Sequence, residues 1–219
     1  ELARGWKDDP DTLAILKQLA QSDDNRGGRY SAVQELARGW KDDPETLPIL
    51  KQVAQFDDNW AGRYLAAQEL ARAWKDDPDT LAILKQLAQS DDDGDLRYLA
   101  VQELARGWKD DPDTLAILKQ LAQSDDNWDV RYSALQELAR GWKDEPGIFE
   151  LLCDFAITHR FKSQLIFPKN YRQTALKIML KQYPDRPKTL EILRDRFAND
   201  PDEEVRQFAQ KKLTELGNL

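Results

Sequence analysis

The chain has 219 residues, of which 41% are hydrophobic, and its formal net charge at pH 7 is −8. This apolar fraction is enough to build a core and excludes a disordered chain. A single Cys excludes an internal disulfide, and no apolar run is long enough to cross a bilayer or to act as a signal peptide. We therefore expect a cytoplasmic protein without membrane contact. With one His, one Cys and no Gly-x-x-x-x-Gly-Lys phosphate loop, we expect no metal site, no cofactor and no catalysis.

The sequence repeats with a period of 34 residues, as the spacing of Glu35 and Glu69 illustrates. The string Glu-Leu-Ala-Arg-(Gly/Ala)-Trp-Lys-Asp starts at positions 1, 35, 69, 103 and 137, and four units are nearly identical. A fifth unit departs after Pro146. Arg172 and Arg206 are again one period apart, which predicts that the period continues beyond a seven-residue insertion near residues 161–167.

Each repeat is predicted to form two helices. One begins at an Asp-Pro sequence such as Asp111–Pro112, where Asp caps the helix and Pro occupies its first position. The other has an Arg, such as Arg131, near its start, and we call it the Arg-led helix. Its apolar residues, such as Val130, Ala134 and Leu138, fall on one helical face. Such short pairs cannot bury their apolar faces alone and must stack on their neighbours. We predict an all-α, right-handed α-solenoid of thirteen helices, the first being a fragment at residues 1–6.

The residues at each turn resemble those of bacterial HEAT-like repeats. The features are an Asp before the turn (Asp125), a Val-Arg pair (Val130, Arg131), then Ala and Leu at helical spacing; residues 200–216 repeat them. The resemblance implies that the Arg-led helices line the concave side of the solenoid. It also implies a ladder of Asp and Arg across successive turns, formed by Asp57, Arg63, Asp91, Arg97, Asp125 and Arg131. His159 stands in place of the Asp at the insertion, so we expect the ladder to break there.

The near-identical copies also resemble the C-terminal repeat arrays of cyanobacterial NACHT-type signal-transduction ATPases. That resemblance implies a region that senses a ligand or partner for a nucleotide-binding module elsewhere. We expect one continuous solenoid, with near-identical repeats at 1–157 and irregular repeats with a capping helix at 158–219. The chain starts within a repeat, which suggests a fragment of a larger protein and permits end-to-end stacking at the N-terminus.

Two sets of side chains are candidates for partner contacts. Trp60 and Trp128 lie in the turn before an Arg-led helix, where other copies have Arg26 and Gly94. A partly covered aromatic residue of the turn is the alternative interpretation. The Trp that ends each Arg-led helix is predicted to pack in the core. A second set recurs every four residues along the Arg-led helices, and Arg–Glu pairing or simple solvation would explain it equally well. Its members are Tyr30, Tyr64, Tyr98, Tyr132, Gln68, Gln102, Gln136, Arg72, Arg106 and Arg140.

Charge divides the chain unevenly. Residues 155–219 contain 13 Lys or Arg and 8 Asp or Glu, a net of +5, which leaves −13 for residues 1–154. The acidic part should repel nucleic acid, so we expect a protein partner. A basic patch for an acidic partner is predicted from Arg160, Lys162, Lys169, Arg172, Lys177 and Lys181. Docking of this patch within a larger protein is the alternative.

The unique Cys153 and His159 do not form a convincing nucleophile pair. A nucleophile and its base need facing side chains, and residues six apart on a helix point in different directions. The sequence therefore favours a non-catalytic protein-binding scaffold. Two alternatives remain open: a HEAT protein similar to the phycobilin lyases, and a designed or regularised repeat scaffold.

Overall fold

A computed structural model describes residues 9–22, 26–158 and 170–217. Within these ranges the chain forms twelve α-helices and no β-strand, which confirms the all-α prediction. The helix predicted at residues 1–6 lies outside the described part. In chain order the helices are α1 (Pro10–Ser22), α2 (Arg26–Gly39), α3 (Thr46–Phe56), α4 (Trp60–Ala73), α5 (Pro78–Ser90), α6 (Gly94–Gly107), α7 (Pro112–Ser124), α8 (Trp128–Gly141), α9 (Ile148–Thr158), α10 (Tyr171–Gln182), α11 (Pro187–Asn199) and α12 (Glu203–Glu215).

The chain divides into two compact units, and the division falls within α7, between Ile117 and Leu118. In the first unit each odd-numbered helix packs on the Arg-led helix that follows it, and α2, α4 and α6 pack side by side. Fully buried leucines such as Leu36, Leu70 and Leu84 fill the space between them. In the second unit α9 packs on α10 and α11 on α12.

Local sequence explains where the helices begin. The Asp77 carboxylate caps α5 by accepting from the Asp79 N–H at 3.0 Å, and Pro78 occupies the first position. α3 starts two residues later, at Thr46, because Pro48 has no N–H to bond the carbonyl of Pro44. Gly147 has φ +89°, a conformation that postpones the start of α9 to Ile148.

The Trp residues that follow the Arg-led helices are half-buried. The prediction that they pack in the core was therefore wrong. Trp74 is the C-cap of α4, with φ −128° and ψ 44°, so its ring leaves the apolar face of the helix. The Lys41 ammonium lies 5.7 Å from the Trp74 ring centroid, and the Lys75 ammonium lies 5.9 Å from that of Trp108. These rings therefore pack against a Lys of the preceding repeat.

A buried Thr in the first turn of the odd-numbered helices gives a stability test. The Thr80 hydroxyl is buried with no hydrogen-bond partner among the described residues, whereas the Thr189 hydroxyl donates to the Tyr183 carbonyl at 2.9 Å. Thr80→Val should raise the free energy of unfolding by about 1 kcal/mol, because it removes an unsatisfied polar group. Thr189→Val should lower it by about 1 kcal/mol. Denaturant titrations of the two variants measure both, and equal effects would contradict the assignment.

Candidate partner-binding surface

An Asp–Arg network joins consecutive repeats in the first unit. The Arg63 guanidinium donates to both carboxylate oxygens of Asp91, at 2.9 Å each, and to the Asp57 carbonyl at 2.8 Å. The Asp91 carboxylate also accepts from the Asp93 N–H at 2.9 Å, and its carbonyl accepts from Arg97 at 2.8 Å. Asp91 therefore makes hydrogen bonds to its own turn, to the helix that follows the turn and to the preceding repeat.

The second unit contains the same arrangement after the insertion. The Arg172 guanidinium donates to both carboxylate oxygens of Asp200 at 2.9 Å, and both residues are buried. Arg206 donates to the Asp200 carbonyl at 2.6 Å, and Arg131 donates to that of Asp125. The break predicted at His159 lies outside the described residues.

One pair of the network is looser. The Arg29 guanidinium approaches Asp57 at 3.4 Å, and its Nε is buried without a hydrogen-bond partner among the described residues. Asp57 leans into the space above Gly62, where a Cβ atom would lie only 2.4 Å from its carboxylate. Burial is the main cause of a raised Asp57 pKa. Because Leu96 fills the corresponding space one repeat later, Asp91 faces Arg63 directly.

A second ladder, which the sequence analysis missed, joins the odd-numbered helices. The Lys51 ammonium lies 2.7 Å from the Asp77 carboxylate and 2.8 Å from that of Asp79. Lys17 and Lys85 make the equivalent pairs with the next repeat. The constant spacing of 26 and 28 residues from each Lys to its acidic partners is the signal of this ladder in the sequence.

The Arg-led helices α2, α4 and α6 present the repeated Tyr, Gln and Arg side by side. Their Tyr and Gln residues are half-buried, and the three Arg residues are exposed. The buried Glu69 carboxylate accepts from Arg38 at 3.1 Å and also pairs with Arg72. Part of this surface is therefore an Arg–Glu network, as the alternative explanation anticipated. We call this surface, together with the turn at residues 56–60 between α3 and α4, the α2–α4–α6 face.

The two turn tryptophans differ in exposure. Trp60 is 44% exposed and meets Tyr64 edge to face, with centroids 6.4 Å apart. Trp128 is half-buried, because the Arg131 guanidinium covers its ring at 4.2 Å and the Tyr171 ring lies 6.2 Å away. Tyr171 also covers Tyr132, which is buried and offers no surface to a partner, contrary to its place among the candidate contacts.

Phe56 is a further exposed aromatic residue that the sequence analysis did not single out. It is 74% exposed at the end of α3, and corresponding positions hold Ser90 and Ser124. Phe56 lines two small clefts, of about 220 and 230 Å³, one containing Asp58 and the other Asp92. The difference between Phe56 and the Ser of the other copies is the signal of this residue in the sequence. The turn between α3 and α4 thus presents two aromatic rings beside acidic groups.

The basic patch is only partly available at the surface. Lys177 and Lys181 are exposed, but Arg172 is buried in its ion pair with Asp200 and cannot serve a partner. This removes Arg172 from the predicted patch. Arg160, Lys162 and Lys169 lie outside the described residues.

The described residues offer little for catalysis. They contain no group of three or more His, Cys, Asp or Glu side chains placed to hold a metal ion. Cys153 is buried, and burial raises the pKa of its thiol, which disfavours the nucleophilic thiolate. A cleft of about 820 Å³ in the second unit contains both acidic and basic side chains, and Arg186 lies over the Phe149 ring there. No helix in the described ranges has the length and apolarity needed to cross a membrane.

Comparison with known proteins identifies the family. The model for HEAT repeats matches residues 13–105 and 47–139, which together cover more than half of the chain. The chain therefore belongs to the HEAT-repeat proteins, and the predicted all-α solenoid is confirmed. The X-ray structure of YibA from Escherichia coli is similar in fold, with a TM-score of 0.62 at 19% sequence identity. The similarity covers 99% of this chain and 74% of YibA. No curated protein matches the chain.

The bidentate Arg63–Asp91 pair is expected to matter more than the looser Arg29–Asp57 pair. Arg63→Lys should lower the free energy of unfolding by about 1–3 kcal/mol, because an ammonium cannot make the two parallel bonds to Asp91 and also reach the Asp57 carbonyl. Arg29→Lys is the matched control and should cost less. Denaturant titration compares them, and an equal or larger loss in Arg29→Lys would refute this ranking.

The Lys–Asp ladder predicts a specific pH dependence. The hydrogen bond from Lys17 is the main cause of a lowered Asp43 pKa. Burial raises the pKa of Asp77 and Asp111, but their Lys partners and the backbone N–H groups of the first helical turn together outweigh it, so both pKa values are also lowered. Carboxyls with lowered pKa stabilise the fold above their unfolded pKa, about 3.9, and this contribution is lost as the pH falls through the folded value.

The triple replacement Lys17→Met, Lys51→Met and Lys85→Met should therefore flatten the loss of stability on acidification. Denaturant midpoints measured across the acidic range would show it, with Lys188→Met as a control that leaves the profile unchanged. An unaltered slope in the triple variant would mean that these pairs do not set the acid response.

Proposed function

We propose that this HEAT-repeat chain is a non-catalytic scaffold that binds a protein partner through the α2–α4–α6 face. The observation that carries the proposal is the pair of exposed rings, Phe56 and Trp60, on either side of one turn. Aromatic residues dominate the binding energy of protein interfaces, and both rings belong to a frame of packed helices. Little ordering would therefore accompany binding.

The chemistry around these rings defines the partner further. The clefts beside Phe56 contain Asp57, Asp58 and Asp92, and residues 1–154 carry a net charge of −13. A partner segment with a large apolar side chain and a neighbouring Lys or Arg would complement this surface. The half-buried Tyr and Gln residues of α4 and α6 then supply hydrogen-bonding groups at low cost in side-chain entropy.

We further propose that the repeats form the partner-sensing region of a larger bacterial signalling ATPase. The support is the resemblance of the repeated sequence to the C-terminal arrays of NACHT-type proteins. If so, nucleotide hydrolysis by the full-length protein should change on partner binding. Phe56→Ser and Trp60→Ala should abolish that change without altering the basal rate.

Binding itself is tested by photo-crosslinking from position 68, identification of the captured protein, and titration with the purified partner. Phe56→Ser, which installs the residue of the other copies, and Trp60→Ala should each weaken binding about tenfold or more. Both should leave the helical signal unchanged, since the rings are exposed. Ile157→Ser is the control, because Ile157 is similarly exposed but belongs to the second unit. Wild-type affinity in both aromatic variants would exclude this face.

A further inference from the structure

The Arg-led helix α10 lacks the acidic residue that accompanies the stripe of Tyr, Gln and Arg in the regular repeats. In α8 the fifth, sixth and ninth residues after Arg131, the Arg of the Asp–Arg network, are Gln136, Glu137 and Arg140. The same positions in α10 are Lys177, Ile178 and Lys181. In α12 they are Lys211, Lys212 and Glu215, so the acidic residue lies at the ninth position there. The stripe therefore changes from Glu137 beside Arg140 in α8 to two Lys residues and an Ile in α10, whereas α12 keeps one Glu beside its two Lys residues.

This exchange coincides with a groove of about 440 Å³ between α10, α11 and α12. Its apolar lining comes from Leu180, Leu190 and Phe208, each of which is half-buried, and from the exposed Leu216. In α8 the residue that corresponds to Leu180 is Ala139 and the one that corresponds to Phe208 is Ser133, so the lining of the groove is more apolar than the same positions of α8. The volume falls within the range of about 300–1,000 Å³ that is typical of ligand pockets.

The rim of the groove is positively charged. Three Lys residues and one Glu line it, a net of +2. Glu215 pairs with Lys212 at 2.6 Å. Lys177 donates to the Gln173 side chain at 3.1 Å, and its ammonium lies 5.4 Å from the Phe208 ring centroid. Lys181 is exposed and makes no ion pair with any described residue. Two cations at this rim therefore have no carboxylate partner within the described part of the chain.

We propose that this groove binds a short acidic segment of a partner protein that carries large apolar side chains. The apolar side chains would fill the space above Leu180, Leu190 and Phe208. Flanking carboxylates would pair with Lys177 and Lys181, taking the place that Glu137 has beside Arg140 in α8. The site uses residues of the second unit alone and is independent of the proposed α2–α4–α6 face.

Charge and shape favour a peptide over other polyanions. Nucleic acid binding depends on many Lys or Arg contacts to phosphates, whereas only three Lys residues line this groove and its lining is apolar. A membrane surface is bound by apolar residues that protrude, whereas Leu180 and Phe208 line a concavity. A segment that combines carboxylates with apolar side chains satisfies both parts of the groove.

The test is fluorescence anisotropy with the whole chain and a labelled peptide in which aspartates and glutamates flank a Leu-Phe pair. Two matched peptides replace either the acids by their amides or the Leu-Phe pair by Ser. The double variant Lys177→Gln and Lys181→Gln should weaken binding of the acidic peptide about tenfold or more. Lys188→Gln is the charge-matched control and should change it less than about twofold, because Lys188 does not line the groove.

Phe208→Ser, which installs the residue found at the corresponding position of α8, tests the apolar half. It should weaken the acidic peptide while the circular dichroism signal stays native; should it unfold, the Lys variants decide alone. Equal binding of the amide peptide would overturn the proposal, as would an unchanged affinity in the double Lys variant or no binding at all. Tighter binding of single-stranded DNA or phosphatidylserine vesicles than of the peptide would assign the groove to those ligands instead.

Discussion

The structure depends on one Asp per repeat that acts on three parts of the chain at once. Asp91 closes the turn before α6, accepts from Arg97 in that helix, and receives the bidentate guanidinium of Arg63 from the preceding repeat. A buried carboxylate is costly unless its oxygens are satisfied, and here turn and neighbour satisfy them together. The spacing between consecutive Arg-led helices is therefore coupled to the geometry of each turn.

That coupling explains why the irregular part of the chain still follows the repeat. Between Arg131 and Arg172 the sequence gains seven residues, yet Arg172 and Asp200 form the same bidentate pair with both partners buried. The Lys ladder behaves differently, since Lys119 reaches only 4.0 Å from Glu145 and the next position is Cys153. The partly exposed Lys pairs thus end where the copies diverge, whereas the buried Arg172–Asp200 pair is present after the insertion.

Helix positions could be predicted from the sequence because a 34-residue period samples each position several times. Even the late start of α3 follows from Pro48. The surface could be predicted less well, because exposure depends on which side chain the neighbouring repeat provides. Trp60 and Trp128 occupy equivalent positions, but only Trp128 has Tyr171 beside it, after an insertion that breaks the register. Phe56 was missed although its divergence from Ser90 is visible in the sequence.

Both proposed binding surfaces lie where a constant frame carries a changed residue. Serine becomes Phe56 at one turn, and the Glu that neutralises Arg140 becomes Ile178 in α10. Neither residue belongs to the Asp–Arg network, so we expect each change to have little effect on the fold. Gly62 is the instructive exception, because it lies against Asp57 and loosens the Arg29 pair. The looser Arg29–Asp57 pair adjoins the turn that carries Phe56 and Trp60. The exposed aromatic residues of this repeat therefore lie next to the weaker contact of the Asp–Arg network.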